Sequence, residues 1–177
     1  MANIYYDEKN GVIIAKNVKV LPGSSDLKYK HFAGDATPTN EQGKQNFCLK
    51  ITDEDAEELT KALEKVGKVV KIKKDNYHTF FKVIISSLFP PTIVKLNETK
   101  TTTPPLDSAN PDIMRSLDRA IISESELAIL PYYSNKYKQW TCYLQSMWFT
   151  PSVDPVQAVI DAAECEHPTD DEEAPFI

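Results

Sequence analysis

The chain has 177 residues, 41% of them hydrophobic and 10% aromatic, with 20 basic and 26 acidic side chains and a formal net charge of −6. This length fits one domain with a core of its own. No apolar run is long enough to span a bilayer as a helix, and the first residues show no basic-then-apolar leader. Cys48, Cys142 and Cys165 are widely spaced, as are His31, His78 and His167, so no zinc-type spacing exists. Cys48 and Cys142 lie in apolar runs and read as small core residues. The expectation is a reduced, cytoplasmic protein without metal or cofactor and without a membrane segment.

In chain order, residues 11–20 read as a strand stopped by Pro22-Gly23, residues 29–32 as a short strand, and Asn46-Phe47-Cys48-Leu49-Lys50-Ile51 as a third. Thr52-Asp53-Glu54-Asp55 then opens a helix, because Thr52 caps and acids fill the first turn. Ala56, Leu59, Leu63 and Val66 recur on one helical face, and Gly67 is the natural stop. Residues 68–73 and 78–86 read as strands joined by a Lys74-Asp75-Asn76-Tyr77 turn, and residues 92–96 as a strand after Pro90-Pro91. A Thr/Pro-rich loop over 97–105 and a helical turn or two over 112–117 follow. Residues 127–133 and 137–149 then form an antiparallel pair. Strict alternation places Tyr137, Gln139, Thr141, Tyr143, Gln145, Met147 and Phe149 on one face of the last strand. Lys138, Trp140, Cys142, Leu144, Ser146 and Trp148 then share the other, the more core-like of the two. The predicted fold class is mainly β, an OB-fold-like barrel with one amphipathic helix, over residues 1–152, with a disordered acidic tail over 153–177.

Catalytic constellations are absent from the sequence. Gly11, Gly23, Gly34, Gly43 and Gly67 are too sparse for a phosphate-binding loop, and no Gly-x-Ser-x-Gly elbow occurs. The charge distribution is more informative. Residues 153–177 hold eight of the 26 acids and no Lys or Arg, which leaves 20 bases against 18 acids in the rest. A near-neutral body with an acidic appendage does not need a high total charge to bind nucleic acid; it needs its bases gathered on one surface.

Bases and aromatics interleave twice: Lys71, Lys73, Lys74, Tyr77, His78, Phe80, Lys82, and again Tyr132, Tyr133, Lys136, Tyr137, Lys138, Trp140. Cations along a phosphate path and π-faces for exposed bases are what sequence-tolerant single-strand binding requires. Hairpin tips favour exposure, so the candidate nucleic-acid contacts are Lys71, Lys73, Lys74, Tyr77, Tyr132, Tyr133, Lys136, Tyr137 and Lys138. Lys28, Tyr29, Lys30 and His31 form either a further basic pocket or an edge strand blunted by lysines.

The chain ends Asp170-Asp171-Glu172-Glu173-Ala174-Pro175-Phe176-Ile177. Four acids followed by a proline and a terminal apolar pair resemble the tip of bacterial single-stranded DNA-binding proteins, except that Ile177 follows the Phe. The succession of Asn46-Phe47-Cys48-Leu49, helix, Val69-Val70-Lys71, Phe81-Lys82-Val83, Phe89-Pro90-Pro91-Thr92-Ile93, Leu117-Asp118, Leu130-Pro131-Tyr132 and residues 142–150 resembles phage-encoded single-stranded DNA-binding proteins. It departs from them at residues 67–71, which lack a tryptophan near the glycine. The resemblance implies an OB-type core that coats single-stranded DNA without strong sequence preference. It also implies that the tip residues Asp170, Asp171, Glu172, Glu173, Pro175, Phe176 and Ile177 recruit replication or recombination proteins, in the bacterial host cytoplasm. Homo-oligomerisation is left open. A DNA-mimic inhibitor of a host nucleic-acid enzyme and a virion structural β-barrel protein are the competing readings.

Overall fold

The computed structural model describes residues 2–96 and 104–153. The expected loop over 97–105 falls mostly outside them, as does the tail from residue 154, including every proposed tip residue.

The first long stretch of chain is expected as one strand and is built as several. β1 (Asn3–Asp7) pairs antiparallel with β2 (Val12–Lys16). Asn17 then takes a left-handed conformation, φ 57°, and interrupts the strand. Val18 is held on both sides by Ser125, whose carbonyl accepts from its N–H at 3.0 Å and whose hydroxyl donates to its carbonyl at 2.6 Å. β3 (Val20–Leu21) and β4 (Ser24–Ser25) make a tight hairpin, and β5 (Leu27–His31) leads into β6 (Asn46–Ile51).

α1 (Asp53–Glu64) starts and stops as its sequence dictates. The Thr52 hydroxyl accepts from the Asp55 N–H at 3.0 Å. At the other end Gly67, φ 72°, lets the N–H groups of Gly67 and Lys68 return to the carbonyls of Glu64 and Leu63. Ala56, Leu59 and Leu63 are buried, whereas Val66, expected on the same face, is largely exposed past the last turn. Residues 68–72 then make no ladder pairing, although Val70 is buried, so the strand expected there reduces to β7 (Lys73–Lys74), paired with β8 (Thr79–Ile84).

β9 (Thr92–Lys95) is followed by a second full helix, α2 (Pro111–Arg119), where only a turn or two is expected from sequence. Its signals are local: the Asn110 side chain accepts from the N–H groups of Asp112 and Ile113, and Pro111 occupies the first turn. The fold therefore has two helices rather than one. β10 (Ile121–Ser134) and β11 (Gln139–Val153) form the longest hairpin. No described helix is long and apolar enough to cross a membrane.

The sheet order is β1-β2-β10-β11-β8-β6-β5. β2 and β5 belong to one short stretch of chain, yet β2 pairs with β10 and β5 with β6 at the far end of the order. The strands between them must therefore curl so that both ends meet the same segment. Asp26 lies where they meet: its N–H bonds the Lys19 carbonyl and its carbonyl accepts from Lys50. The result is a mainly β, OB-like architecture whose hydrogen-bonded path stays open. Its inner face buries Ile13, Leu49, Phe81, Ile93, Ile129 and Phe149, and Phe32 stacks on Phe47 at 5.2 Å.

The alternation expected for the last strand fails at one residue. Ala128 opposes Ser146 while Ile129 opposes Leu144, so Gln145 is a β-bulge. Cys142 and Leu144 before it, and Met147 and Phe149 after it, all face the core. The extra residue restores inward packing for Met147 and Phe149, which strict period two would have turned outward.

Candidate nucleic-acid interface

Burial alternates along β8: Thr79, Phe81 and Val83 are buried while Phe80, Lys82 and Ile84 point to the other side. Cross-strand register extends that outer face. Lys28, Cys48 and Lys82 form one row across β5, β6 and β8, and Lys50, Phe80 and Lys73 form the next. β5, β6, β7 and β8 together carry six lysines and no acid.

Tyr29 joins this face because the β5 ladder slips between Lys28 and His31 and Tyr29 adopts φ 51°. Its ring meets Phe80 edge-on at 6.4 Å, and the Lys28 ammonium lies 5.0 Å from each ring. Lys28 is fixed by an ion pair of 2.6 Å to Asp75. The same carboxylate accepts from the N–H groups of Tyr77 and His78 and shapes the β7–β8 turn, and these donors hold it well below the usual carboxylate range. Lys30 goes the other way, donating to the last carbonyls of α2 at Leu117 and Ala120; burial lowers its pKa. Lys73 and Lys82 have no acidic partner among the described residues. Burial pushes the Cys48 thiol up, against the opposing pull of the Lys82, Lys73 and Lys28 charges.

A groove opens beside this patch. β8 and β11 touch at a single parallel pairing, Ile84 with Tyr143, and splay apart on the N-terminal side of it. The gap of about 210 Å³ is lined by Lys71, Lys73, Lys82 and Ile84 on one wall and by Gln139, Trp140 and Thr141 on the other. Lys71 bridges it, its ammonium 3.1 Å from the Gln139 side-chain oxygen. Trp140 packs edge-on with Tyr133 at 5.5 Å, and Tyr132 with Tyr143 at 6.0 Å. Since Tyr132 opposes Thr141 and Tyr133 opposes Trp140, the two pairs lie on opposite faces of the ribbon.

The nine residues singled out from sequence thus separate into three groups. Lys71 and Lys73 line the groove. Lys74 and Tyr77 face a second cavity of about 600 Å³ beside the start of α1, where Asp26, Asp53 and Asp75 offset Lys19, Lys50 and Lys74. Lys74 is paired there with Asp53 at 3.3 Å, while the Tyr77 ring is 86% exposed. Tyr132, Tyr133, Lys136, Tyr137 and Lys138 belong to the β10–β11 ribbon, with Lys136 5.2 Å from the exposed Tyr137 ring. Lys28 and Tyr29 enter from sequence only as part of a further basic pocket or a blunted edge strand, and Lys50, Phe80, Lys82, Trp140 and Tyr143 are not among the nine. The alternation of residues 79–84 already set Phe80 and Lys82 opposite Phe81 and Val83; the rows they join are visible only in the register.

No group of described side chains is arranged to hold a metal ion. No protein-family model matches the chain, and no curated protein sequence does. Among solved structures it is similar to the single-stranded DNA-binding protein of bacteriophage Enc34 in complex with ssDNA. The TM-score is 0.49 at 17% identity, over 83% of this chain and 90% of that one. The C-terminally truncated Enc34 protein gives 0.48 at 18% identity over the same shares. The single-stranded DNA-binding protein gp2.5 of bacteriophage T7 gives 0.34 at 12%, over 85% of this chain and 87% of that one.

Proposed function

We propose that this protein is a non-catalytic single-stranded DNA-binding protein. In this reading residues 1–152 bind the strand without strong sequence preference, and the acidic tail from Val153 recruits replication or recombination proteins. Single-stranded DNA is also the ligand named for the Enc34 complex. The observation that carries the reading is the lysine-rich outer face of β5, β6, β7 and β8. There Lys28 lies against Tyr29 and Phe80, Lys73 stands opposite Phe80, and Lys73 and Lys82 line the adjoining groove together with Lys71. Ammonium groups on a phosphate path and ring faces for unstacked bases suit any base order, because every base offers a π-face.

The test is fluorescence anisotropy with labelled oligo(dT) across a salt series. Wild type is expected to bind with a log–log salt slope of about −0.7 for each phosphate contact. The Lys73→Glu/Lys82→Glu variant is expected to bind more weakly and to lose about 1.4 of that slope, the value for two contacts. An oligonucleotide that does not bind, or a double variant with unchanged affinity and slope, overturns the proposal.

A further inference from the structure

The chain leaves the sheet between β8 and β9. Ile84 opposes Tyr143 and Thr92 opposes Ser146, so this segment spends eight residues while β11 advances three. Ile85 is still buried and bonded to the Gln45 carbonyl at 3.0 Å, so the excess is looped out over residues 86–91.

The loop is organised. Ser86 follows Lys82 and Ile84 in outward parity, and its hydroxyl accepts from the N–H groups of Leu88 and Phe89, each at 3.2 Å. These two local hydrogen bonds brace the turn from within. Pro90 and Pro91 stiffen its return, and Pro91 is buried against the body. At the tip Leu88 is 84% and Phe89 81% exposed. Single exposed apolar residues are ordinary, but two adjacent ones on a braced turn are a presented surface. Bracing lowers the ordering cost of any contact they make.

The position selects the occupant. Ile84 lines the groove, and the loop begins two residues beyond it, past the point where β8 and β11 meet. Residues 83–96 contain no acid, and their one base, Lys95, is buried. A strand lying in the groove and continuing past Tyr143 runs onto the loop. We propose that Phe89, backed by Leu88, is a base-stacking subsite that takes a nucleobase of the strand leaving the groove at this end. The inference rests on the groove's binding single-stranded DNA.

The test compares wild type, Phe89→Ala, Phe89→Trp and Phe89→Leu in anisotropy titrations with oligo(dT) of increasing length. Phe89→Ala is expected to match wild type on the shortest oligonucleotides that bind. On longer ones it should be weaker by roughly five-fold or more, the scale of one lost stack, with an unchanged salt slope. Phe89→Trp is expected to restore the affinity and Phe89→Leu is not, because stacking needs a ring and burial alone does not. Phe89 is solvent-exposed, so all four proteins are expected to fold alike, which circular dichroism checks. Equal binding by wild type and Phe89→Ala at every length overturns the subsite while leaving the groove in place. Loss of self-association in Phe89→Ala by light scattering, with DNA affinity intact, overturns it in favour of a contact between copies. A wild type that binds no oligo(dT) overturns the groove reading and the subsite together.

Discussion

At the scale of single residues, Asp75 shows how one carboxylate organises a binding surface. It accepts from two backbone N–H groups of its own turn and from the Lys28 ammonium, so it fixes both the β7–β8 hairpin and the cation that sits between Tyr29 and Phe80. The Lys28 hydrogen bond is the largest cause of its lowered pKa, followed by the backbone donors. An acid whose pKa is lower folded than unfolded stabilises the fold above the unfolded value, and that contribution is lost as pH falls through the folded value. In a carboxyl-detected NMR titration Asp75 is therefore expected to remain ionised where an unperturbed aspartate, at about 3.9, is half protonated. Asp75→Asn is expected to free Lys28 for phosphate and to bind oligo(dT) at least as tightly as wild type. A normal Asp75 titration would show that the ion pair does not hold in solution.

At the scale of elements, α2 is tied to the sheet by polar groups as much as by Met114 and Leu117, its buried apolar residues. The Asp118 carboxylate accepts from the N–H groups of Phe32, at 2.7 Å, and Ala33, at 3.3 Å, just where β5 ends. Burial pushes its carboxyl above the usual range, against the pull of those donors and of Lys30. One turn earlier, Arg115 meets Asp35 through two nitrogens at 2.7 and 2.9 Å. Asp118→Ala leaves two donors beside the core residue Phe32 without an acceptor. It is expected to cost about 1–3 kcal/mol in urea unfolding, and Asp118→Asn less, because an amide oxygen still accepts. Equal stability of the Ala variant and wild type would mean that water replaces the carboxylate. The double tie also sets the place of β5, and with it Lys28 and Tyr29.

At the scale of the whole molecule, the charges divide between body and tail. Eight acids lie at or beyond Val153, with no base to offset them. In the proposed reading, recruitment by the tail would depend on the terminal apolar pair Phe176 and Ile177, with Pro175 limiting the approach. Phe176→Ala is expected to weaken capture of a partner enzyme by on the order of 2 kcal/mol, the scale of a buried anchor, and to leave oligo(dT) affinity almost unchanged. Pull-downs from host lysate in which wild type and Phe176→Ala recover the same proteins would leave the tail a solubilising appendage.

Local chemistry was sufficient where neighbours in sequence are neighbours in space. The cap at Thr52, the stop at Gly67 and the strand identity of residues 46–51 follow from contacts within a few residues and are where the sequence places them; the turn expected over 74–77 falls one residue later, over 75–78. The interleaving of lysines with aromatics was legible for the same reason. What sequence did not supply is which of those side chains meet. Lys28 finds Asp75 across 47 residues, and Lys71 finds Gln139 across 68. The left-handed turn at Tyr29 and the bulge at Gln145 each reverse the face that period two assigns. Sheet register joins segments remote in the chain, and one extra residue inverts every side chain after it. The sequence by itself therefore determined α1 with its cap and stop, the strand over 46–51 and the interleaving of lysines with rings; the tertiary pairing decided which lysines meet an acid and which rings stand beside them.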